Sequence, residues 1–389
     1  MKYIVRRQTA RLSRLLRAFP AVLVAGPRQC GKSTLAARDR SAWTRLDLER
    51  PSDLGLIAAD IEGFFDTNQR HVLLDEAQRL PEVFSVLRHV IDRSPGKGRF
   101  LLLGSASPSL VRSVSESLAG RIALMELTPF LASELAGTPH APDRWFWGGY
   151  PAVHATRHAR ERGEWFDAYV STFLERDLPA LGISLSTRRL RMLWTMLTHV
   201  HGNLLNVSDL ARSLTVSPHT VAGDLDVLEG AFMIRRLQPF FANVQKRLTK
   251  SAKVYVRDTG LLHFLAGLRR PADLHTWPRR GASFEGLVIE ELTALASNRL
   301  VRPEFFFWRT QAGAEVDLLI VHGRRILPIE IKLGAAIDQY AASGLRQCMK
   351  DLGLKRGWIV TTGTERRRLS TKIEVVPWDD IVNGRLELF

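Results

Sequence analysis

The stretch GPRQCGKST, residues 26–34, follows an apolar run at residues 21–25 and matches the phosphate-binding pattern G-x-x-x-x-G-K-[ST]. Its glycines allow the backbone to curl so that successive N–H groups point at phosphate oxygens. Lys32 would reach the β- and γ-phosphates, and the Ser33 hydroxyl would bind Mg²⁺. The predicted nucleotide-binding residues are Gly26, Pro27, Arg28, Gln29, Cys30, Gly31, Lys32, Ser33 and Thr34.

The context of this stretch decides between a phosphate cradle and a glycine turn that carries Lys-Ser by accident. A β-branched strand precedes it, and the residues from Ser33 onward are typical of the start of a helix. The pyrophosphate would then lie at a helix N-terminus, where the helix dipole is positive. This strand, loop and helix order favours the cradle and predicts ATP as the ligand.

A second strand ends in two acids. HVLLDE, residues 71–76, is an apolar run that ends at Asp75 and Glu76. We expect Asp75 to hold Mg²⁺ through water and Glu76 to orient and polarise the attacking water, the two roles that attack on a γ-phosphate requires. A strand that ends in Asp-Glu is weak evidence by itself. Because it lies forty-odd residues after the phosphate cradle, it indicates an Mg²⁺-dependent ATPase.

A third buried strand, residues 100–105, ends in small polar residues. Because strand C-termini face the ligand crevice in an open parallel sheet, Ser105 or Ser107 could contact the γ-phosphate. A plain turn from strand to loop is the alternative interpretation of this segment.

Four motifs in order resemble the bacterial and archaeal AAA-type ATPases whose second half is the DUF4143 region: GPRQCGKST, HVLLDEAQ, FLLLGSAS and SESLAGRIALMELTPF. WGGYP at 147–151, FLERDL at 173–178 and YVRDTGLL at 255–262 are similar to later landmarks of that family. The resemblance covers nearly the whole chain. It implies that Arg121 is a catalytic trigger arginine, in cis or across a subunit interface, although a surface ion pair would also explain a single arginine. A role in trans would require a homo-oligomer.

The middle of the chain resembles a winged helix-turn-helix. Residues 206–229 predict two helices around a short turn, with Ser217 as N-cap and Pro218 at the first helical position. Residues 232–237 and 253–256 would supply a two-stranded wing. The second helix is expected to expose His219, Thr220, Asp224 and Asp226, and two acids argue against tight reading of DNA bases.

Basic residues cluster on the wing side of this module instead, which favours contacts with DNA backbone phosphates. They are Arg235, Arg236, Lys246, Arg247, Lys250 and Lys253. The alternative is a winged helix that serves protein packing or nucleotide-linked motion.

The last part of the chain resembles the PD-(D/E)xK nuclease core. Asp317 begins one predicted strand, and Glu330 and Lys332, two residues apart on another, share one face of the sheet. Asp317 and Glu330 would hold Mg²⁺, Lys332 would position or help to deprotonate water, and Glu285 on the preceding helix is favoured over Glu290 as a further acid. Val316 replaces the usual proline before the Asp. An inactive relic that binds nucleic acid or only packs is the alternative, because a fold does not certify an activity.

Composition restricts the class of protein. The formal net charge is +15, from 55 Lys and Arg against 40 Asp and Glu, which indicates an anionic partner such as DNA, or only a solvated basic surface. Two cysteines are too few for a disulfide scaffold and fit a reducing cytoplasm. No apolar run approaches the roughly 20 residues of a membrane span, so we expect no membrane association.

Together these features predict an α/β protein in three parts. Residues 1–150 would form an ASCE-type P-loop AAA ATPase with a parallel sheet, 151–265 a helical and winged-helix region, and 266–389 a restriction-endonuclease-like α/β domain. The predicted function is Mg²⁺-dependent ATP hydrolysis coupled to remodelling of, or translocation on, DNA. An ATP-dependent DNA nuclease in repair or defence and a nucleotide-gated protein-binding switch remain as alternatives.

Overall fold

A computed structural model of the chain describes residues 3–105, 114, 117–180, 183, 185–241, 251–337 and 340–388. The chain divides into two units. Unit 1 contains residues 1–130 and 230–232, and unit 2 contains residues 131–229 and 233–389.

Unit 1 is built on a parallel sheet of five strands in the order β2-β3-β4-β1-β5. The strands are β1 (Ala21–Gly26), β2 (Thr44–Asp47), β3 (Val72–Asp75), β4 (Phe100–Ser105) and β5 (Ile122–Glu126). The helices are α1 (Thr9–Ala18), α2 (Lys32–Asp39), α3 (Pro51–Ala58), α4 (Ile61–Thr67) and α5 (Glu82–Arg93), with a short 3₁₀ turn at Ala77–Arg79. The parallel sheet predicted for the N-terminal part is confirmed.

Apolar residues fill both faces of this sheet. Every residue of β1 is buried, as expected for a central parallel strand covered by helices on both sides. One face packs against α3, α4 and α5, and the other packs against α1 and α2. Helix α5 shows the underlying pattern, because Val83, Leu87 and Val90 recur at helical spacing and are all buried.

Unit 2 contains thirteen helices among the described residues. In chain order they are α6 (Ala132–Leu135), α7 (Arg144–Trp147), α8 (Pro151–Ala155), α9 (Ala159–Thr172), α10 (Leu178–Ala180), α11 (Thr187–His199), α12 (Val207–Leu214), α13 (Pro218–Gly230), α14 (Thr259–Leu265), α15 (Pro271–Thr276), α16 (Arg280–Arg299), α17 (Ser343–Asp351) and α18 (Trp378–Val382). Single turns of 3₁₀ or π-helix lie at Ala141–Asp143, Phe173–Asp177 and Tyr340–Ala342.

One mixed sheet of eight strands runs through unit 2, in the order β12-β13-β11-β10-β9-β8-β6-β7. Its strands are β6 (Ile234–Pro239), β7 (Lys253–Val256), β8 (Glu304–Arg309), β9 (Glu315–His322), β10 (Arg325–Lys332), β11 (Gly357–Thr361), β12 (Arg367–Arg368) and β13 (Ile373–Pro377). Helix α16 packs on one face of the sheet and α17 packs on the other. The α/β class predicted for the chain is confirmed.

The helix-turn-helix and its two wing strands form where the sequence predicts them. Helix α13 begins at Pro218, and the Ser217 hydroxyl accepts the Thr220 N–H at 3.1 Å, as an N-cap does. The wing strands β6 and β7 pair antiparallel, and β6 also pairs with β8. The wing therefore belongs to the same sheet as β8–β13, and the domain boundary predicted near residue 265 falls inside unit 2.

Two of the sequence landmarks lock together in unit 2. The Asp258 carboxylate accepts the Gly149 N–H at 2.7 Å and the Leu261 N–H at 2.9 Å, so it fastens the GGYP turn to the start of α14. Gly148 has φ +74°, and a Cβ atom there would lie 2.1 Å from an Asp258 oxygen. These motifs therefore serve packing.

Among the described residues, no helix is both long enough and apolar enough to cross a lipid bilayer.

Candidate functional site

The loop between β1 and α2 is shaped by its two glycines. Gly31 has φ +100°, a left-handed conformation that glycine adopts without strain. At Gly26 an added Cβ atom would lie 2.2 Å from the Leu127 carbonyl oxygen, so only glycine fits there. Helix α2 begins directly after Gly31, and its first N–H groups therefore adjoin the loop.

Lys32 is held inside this loop. Its side chain is buried, and Nζ donates to the carbonyl oxygens of Gly26 at 3.1 Å and Pro27 at 3.0 Å. The Cys30 thiol lies 3.3 Å from the Leu127 carbonyl oxygen and so holds the loop against the segment after β5. Burial raises the pKa of this thiol. Arg28 points elsewhere and pairs with Glu49 at 2.6 Å.

Asp75 ends β3 and is buried beside the loop. Its Oδ2 accepts Arg45 at 3.0 Å, whereas its Oδ1 has no hydrogen-bond partner among the described residues. Burial raises the pKa of Asp75, and the nearby Ser33 hydroxyl opposes that shift. The structure thus brings together the hydroxyl and the carboxylate predicted to bind Mg²⁺.

Glu76 adopts a left-handed backbone, with φ +52° and ψ +47°. A residue other than glycine is uncommon in this region, and such strained positions concentrate at functional sites. Gln78 donates a hydrogen bond to the Glu76 carboxylate. Glu76 follows Asp75 directly, so its backbone lies at the same sheet edge as the loop.

Ser105 lies at this edge too, because it pairs with Gly26 across β4 and β1. Ser107, the alternative contact predicted for the γ-phosphate, lies outside the described residues.

Arg121 lies at the opposite end of the parallel strands, where β1 begins. Its carbonyl oxygen accepts the Ala21 N–H at 3.3 Å, at the start of β1, and a six-residue strand extends about 17 Å. The guanidinium forms two hydrogen bonds with Asp92, at 2.6 and 2.8 Å. Arg121 therefore does not reach the loop of its own chain, and a role across a subunit interface stays a prediction.

Arg6 is a residue at this site that the sequence did not reveal. It is buried and donates to the Cys30 carbonyl oxygen at 2.8 Å and to the Thr128 carbonyl oxygen. Its guanidinium also lies 5.0 Å from the centre of the Phe130 ring. Arg6 therefore braces the loop against the segment that follows β5. No local pattern signals contacts between residues this far apart in sequence.

In unit 2 the structure brings together the acids predicted for a nuclease. Asp317 on β9 accepts the Ile331 N–H at 2.8 Å, and Glu330 on β10 pairs with Lys332 at 2.5 Å. The Glu285 carboxylate, from α16, accepts a hydrogen bond from Tyr255. The charge of Asp317 helps to raise the pKa values of both Glu285 and Glu330, so the three carboxyl groups lie close together.

A lysine lies among these acids. Lys253 is 2% exposed, and its Nζ is 3.1 Å from Glu285 Oε1, 3.5 Å from Asp317 Oδ1, and ion-paired with Glu315. Burial opposes its charge, but the surrounding acids outweigh burial and raise the Lys253 pKa well above its ordinary value. The prediction that Lys253 contacts DNA is wrong, because the side chain is buried and its donors are taken.

Burial also changes the acids themselves. It raises the pKa of Glu285 to about 7 and that of Glu330 to about 8, with the charge of Asp317 adding to both shifts. Among the described residues, no group of three or more His, Cys, Asp or Glu side chains is arranged to hold a metal ion. Of the two acids predicted to bind a nuclease Mg²⁺, Asp317 lies 3.5 Å from the Lys253 ammonium and Glu330 pairs with Lys332.

Glu290 stands apart from this cluster. Burial alone would raise its pKa, but Arg235 and Arg257 outweigh burial and lower the pKa to about 2. Both arginines bond to its carboxylate, Arg235 at 2.5 and 3.1 Å and Arg257 at 2.9 and 2.8 Å. Arg235 is therefore engaged in a buried ion pair, which corrects its predicted role in phosphate contact.

Two further predictions for the winged helix are corrected. Arg236 pairs with Asp226 and Glu229 on α13, so it too is engaged within the chain. Asp224 is buried and accepts Arg189 at 2.7 and 3.0 Å, and so is not exposed on α13. The other predicted wing cations, Lys246, Arg247 and Lys250, lie outside the described residues.

Sequence comparisons agree with the P-loop geometry. An uncharacterized protein of Mycobacterium tuberculosis and one of Mycobacterium bovis are each 41% identical over 379 residues, 97% of this chain and 84% of theirs. Family models match the AAA domain at residues 18–136, a domain of unknown function, DUF8612, at 138–272, and another, DUF4143, at 280–381. The chain belongs to the AAA-type ATPase family that carries DUF4143.

The AAA match of this family covers the loop, β3 and Arg121. Among solved structures, RuvB from Thermotoga maritima is 20% identical, with 60% of this chain and 90% of that chain covered and a TM-score of 0.32. A STAND-type ATPase from Pyrococcus horikoshii is 12% identical, with 76% and 48% covered and a TM-score of 0.29.

Proposed function

We propose that this chain binds Mg²⁺-ATP at the loop of residues 26–33 and hydrolyses it there. The observation that carries the proposal is a buried Asp75, near Ser33, whose Oδ1 has no hydrogen-bond partner among the described residues. A buried carboxylate oxygen without a partner is costly unless a ligand satisfies it. The glycine-shaped loop beside it supports a phosphate as the second part of that ligand.

Each residue then has a defined task. Lys32 exchanges its two backbone carbonyl partners for phosphate oxygens, which bind an ammonium more strongly because they are charged. Ser33 and Asp75 would hold Mg²⁺, which when bound neutralises charge that develops on the β- and γ-phosphate oxygens. Glu76 orients a water for attack on the γ-phosphorus. The bond from the γ-phosphorus to the bridging oxygen breaks as the bond to water forms.

We further propose that hydrolysis is coupled to DNA. The support is the net charge of +15, since an excess of cations favours a polyanionic partner. The wing gives no further support, because Arg235, Arg236 and Lys253 all pair with acids of the same chain. A DNA nuclease is not favoured either, because Lys253 lies among the acids that would bind the metal.

ATP turnover, measured with and without DNA, tests both proposals. We expect Lys32→Ala to lose nucleotide binding, and Glu76→Gln to bind ATP but turn it over at least ~100-fold more slowly, the scale of a lost general base. Lys97→Ala and Glu62→Gln, at exposed positions of the same unit, are matched controls. Turnover that survives in Lys32→Ala would refute the assigned site.

The DNA arm has its own readout. Stimulation of turnover by DNA at low salt, weakened as salt rises, is expected if phosphate contacts carry the coupling. Turnover that is indifferent to DNA at low salt would refute the coupling and favour a nucleotide-gated switch that binds a protein.

A further inference from the structure

Acids of β9 and α16 converge on one point, and a side chain of the wing occupies it. Lys253 is the first residue of β7, the last strand of the eight-stranded sheet. Its ammonium lies 3.1 Å from Glu285 and 3.5 Å from Asp317, and it pairs with Glu315. An ammonium has three N–H donors, so three carboxylates satisfy it completely.

Most of the remaining groups of the cluster also have partners within the chain, although Glu330 Oε2 is buried without a hydrogen-bond partner among the described residues. The Asp317 Oδ2 accepts the Ile331 N–H, and Lys332 pairs with Glu330 instead of facing an open site. Arg309 pairs with Glu315 at 2.9 Å. A hard divalent cation would have to displace these donors and would be repelled by Lys253 within a few ångströms.

We propose that the Lys253 ammonium is the resident cation of this acidic cluster and takes the place that a divalent metal holds in a metal-dependent phosphodiesterase. The chain in this conformation then cleaves no phosphodiester bond, although it carries the acids and the lysine of a nuclease. The acids serve to fix the wing strand β7 to the sheet. This inference does not depend on ATP hydrolysis, because every residue it uses lies in unit 2.

The test is binding of Mn²⁺ to the full chain without nucleotide, followed by electron paramagnetic resonance of the free ion. All proteins carry Asp75→Asn, which removes the carboxylate of the P-loop site. The protein that keeps Lys253 is expected to show no Mn²⁺ site that is lost when Asp317→Asn is added. Lys253→Met keeps the side-chain volume and removes the charge. It is expected to gain a Mn²⁺ site at least tenfold tighter than any that the protein with Lys253 shows. Adding Asp317→Asn is expected to abolish this site. Lys372→Met, at an exposed position, is the matched control.

Two results would overturn the proposal. One is a Mn²⁺ site that exists with Lys253 in place and disappears in Asp317→Asn. The other is a folded Lys253→Met that gains no Mn²⁺ site.

A wild-type measurement keeps the test decisive if Lys253→Met does not fold. With Mn²⁺ present, labelled DNA is run on a denaturing gel after incubation with the wild-type chain and with Lys332→Ala. Equal, intact DNA in both supports the internal cation. Cleavage by the wild-type chain that is lost in Lys332→Ala overturns it.

Discussion

Glu290→Gln should destabilise unit 2 in a way that depends on pH. The Glu290 carboxylate is buried between Arg235 and Arg257, and its pKa is lowered from 4.5 to about 2. The difference between these values corresponds to about 3 kcal/mol of stability from the ionised form. Because the folded pKa is the lower one, this stability is present above about pH 5 and is lost as the pH falls towards 2.

Urea unfolding followed by tryptophan fluorescence measures this effect in the right unit, because Trp43 is the only tryptophan before residue 131. We expect Glu290→Gln to lose about 3 kcal/mol at pH 7, and the difference from wild type to shrink by about 1 kcal/mol at pH 4. Glu164→Gln makes the same chemical change in an exposed ion pair with Arg160 and should cost at most ~0.5 kcal/mol. If both variants lose the same stability, or if the Glu290→Gln deficit grows towards pH 4, the buried ion-pair argument fails.

Two other predictions concern the loop and the thiols. Gly26→Ala places a methyl group 2.2 Å from the Leu127 carbonyl oxygen, so we expect a loss of about 1–3 kcal/mol in stability and at least tenfold weaker ATP binding by calorimetry. Gly55→Ala, with open space around it on helix α3, should leave ATP binding unchanged and raise stability by about 0.5–1 kcal/mol. Cys30 and Cys348 are buried with raised thiol pKa values, so a thiol-reactive dye should label neither cysteine in the native chain and both after unfolding. Rapid labelling of the native chain would contradict the described packing around them.

The P-loop could be predicted because its geometry is local. Nine consecutive residues contain both glycines, the lysine and the serine, and the strand before them and the helix after them are encoded by neighbouring residues. Asp75 follows by the same logic, since parallel strands that end in acids bring those acids to one edge. Arg6 could not be predicted, because its partner Thr128 lies 122 residues away and only the folded sheet brings the two together.

The winged helix shows how a correct element can carry an incorrect surface. Asp224 lies three residues after Val221 and four before Leu228, on the stripe that faces the core, so the helical spacing already indicated burial. The charge of Asp224 suggested exposure. In the structure Asp224 is buried and its charge is paired with Arg189. On β7 all four residues are buried, because the wing continues the sheet and is covered on both faces. Alternation could therefore not separate an exposed face from a buried one.

Lys32 and Lys253 are both buried, but they differ in the charge of the groups that they contact. Both side chains are almost fully buried, and both ammonium groups have partners within the chain. The partners of Lys32 are two neutral carbonyl oxygens, which a charged phosphate oxygen can replace with a net gain. The partners of Lys253 are the carboxylates of Glu285, Glu315 and Asp317, and a phosphate that replaced them would leave three acids unpaired. The first lysine is therefore available to a ligand, and the second is part of the fold.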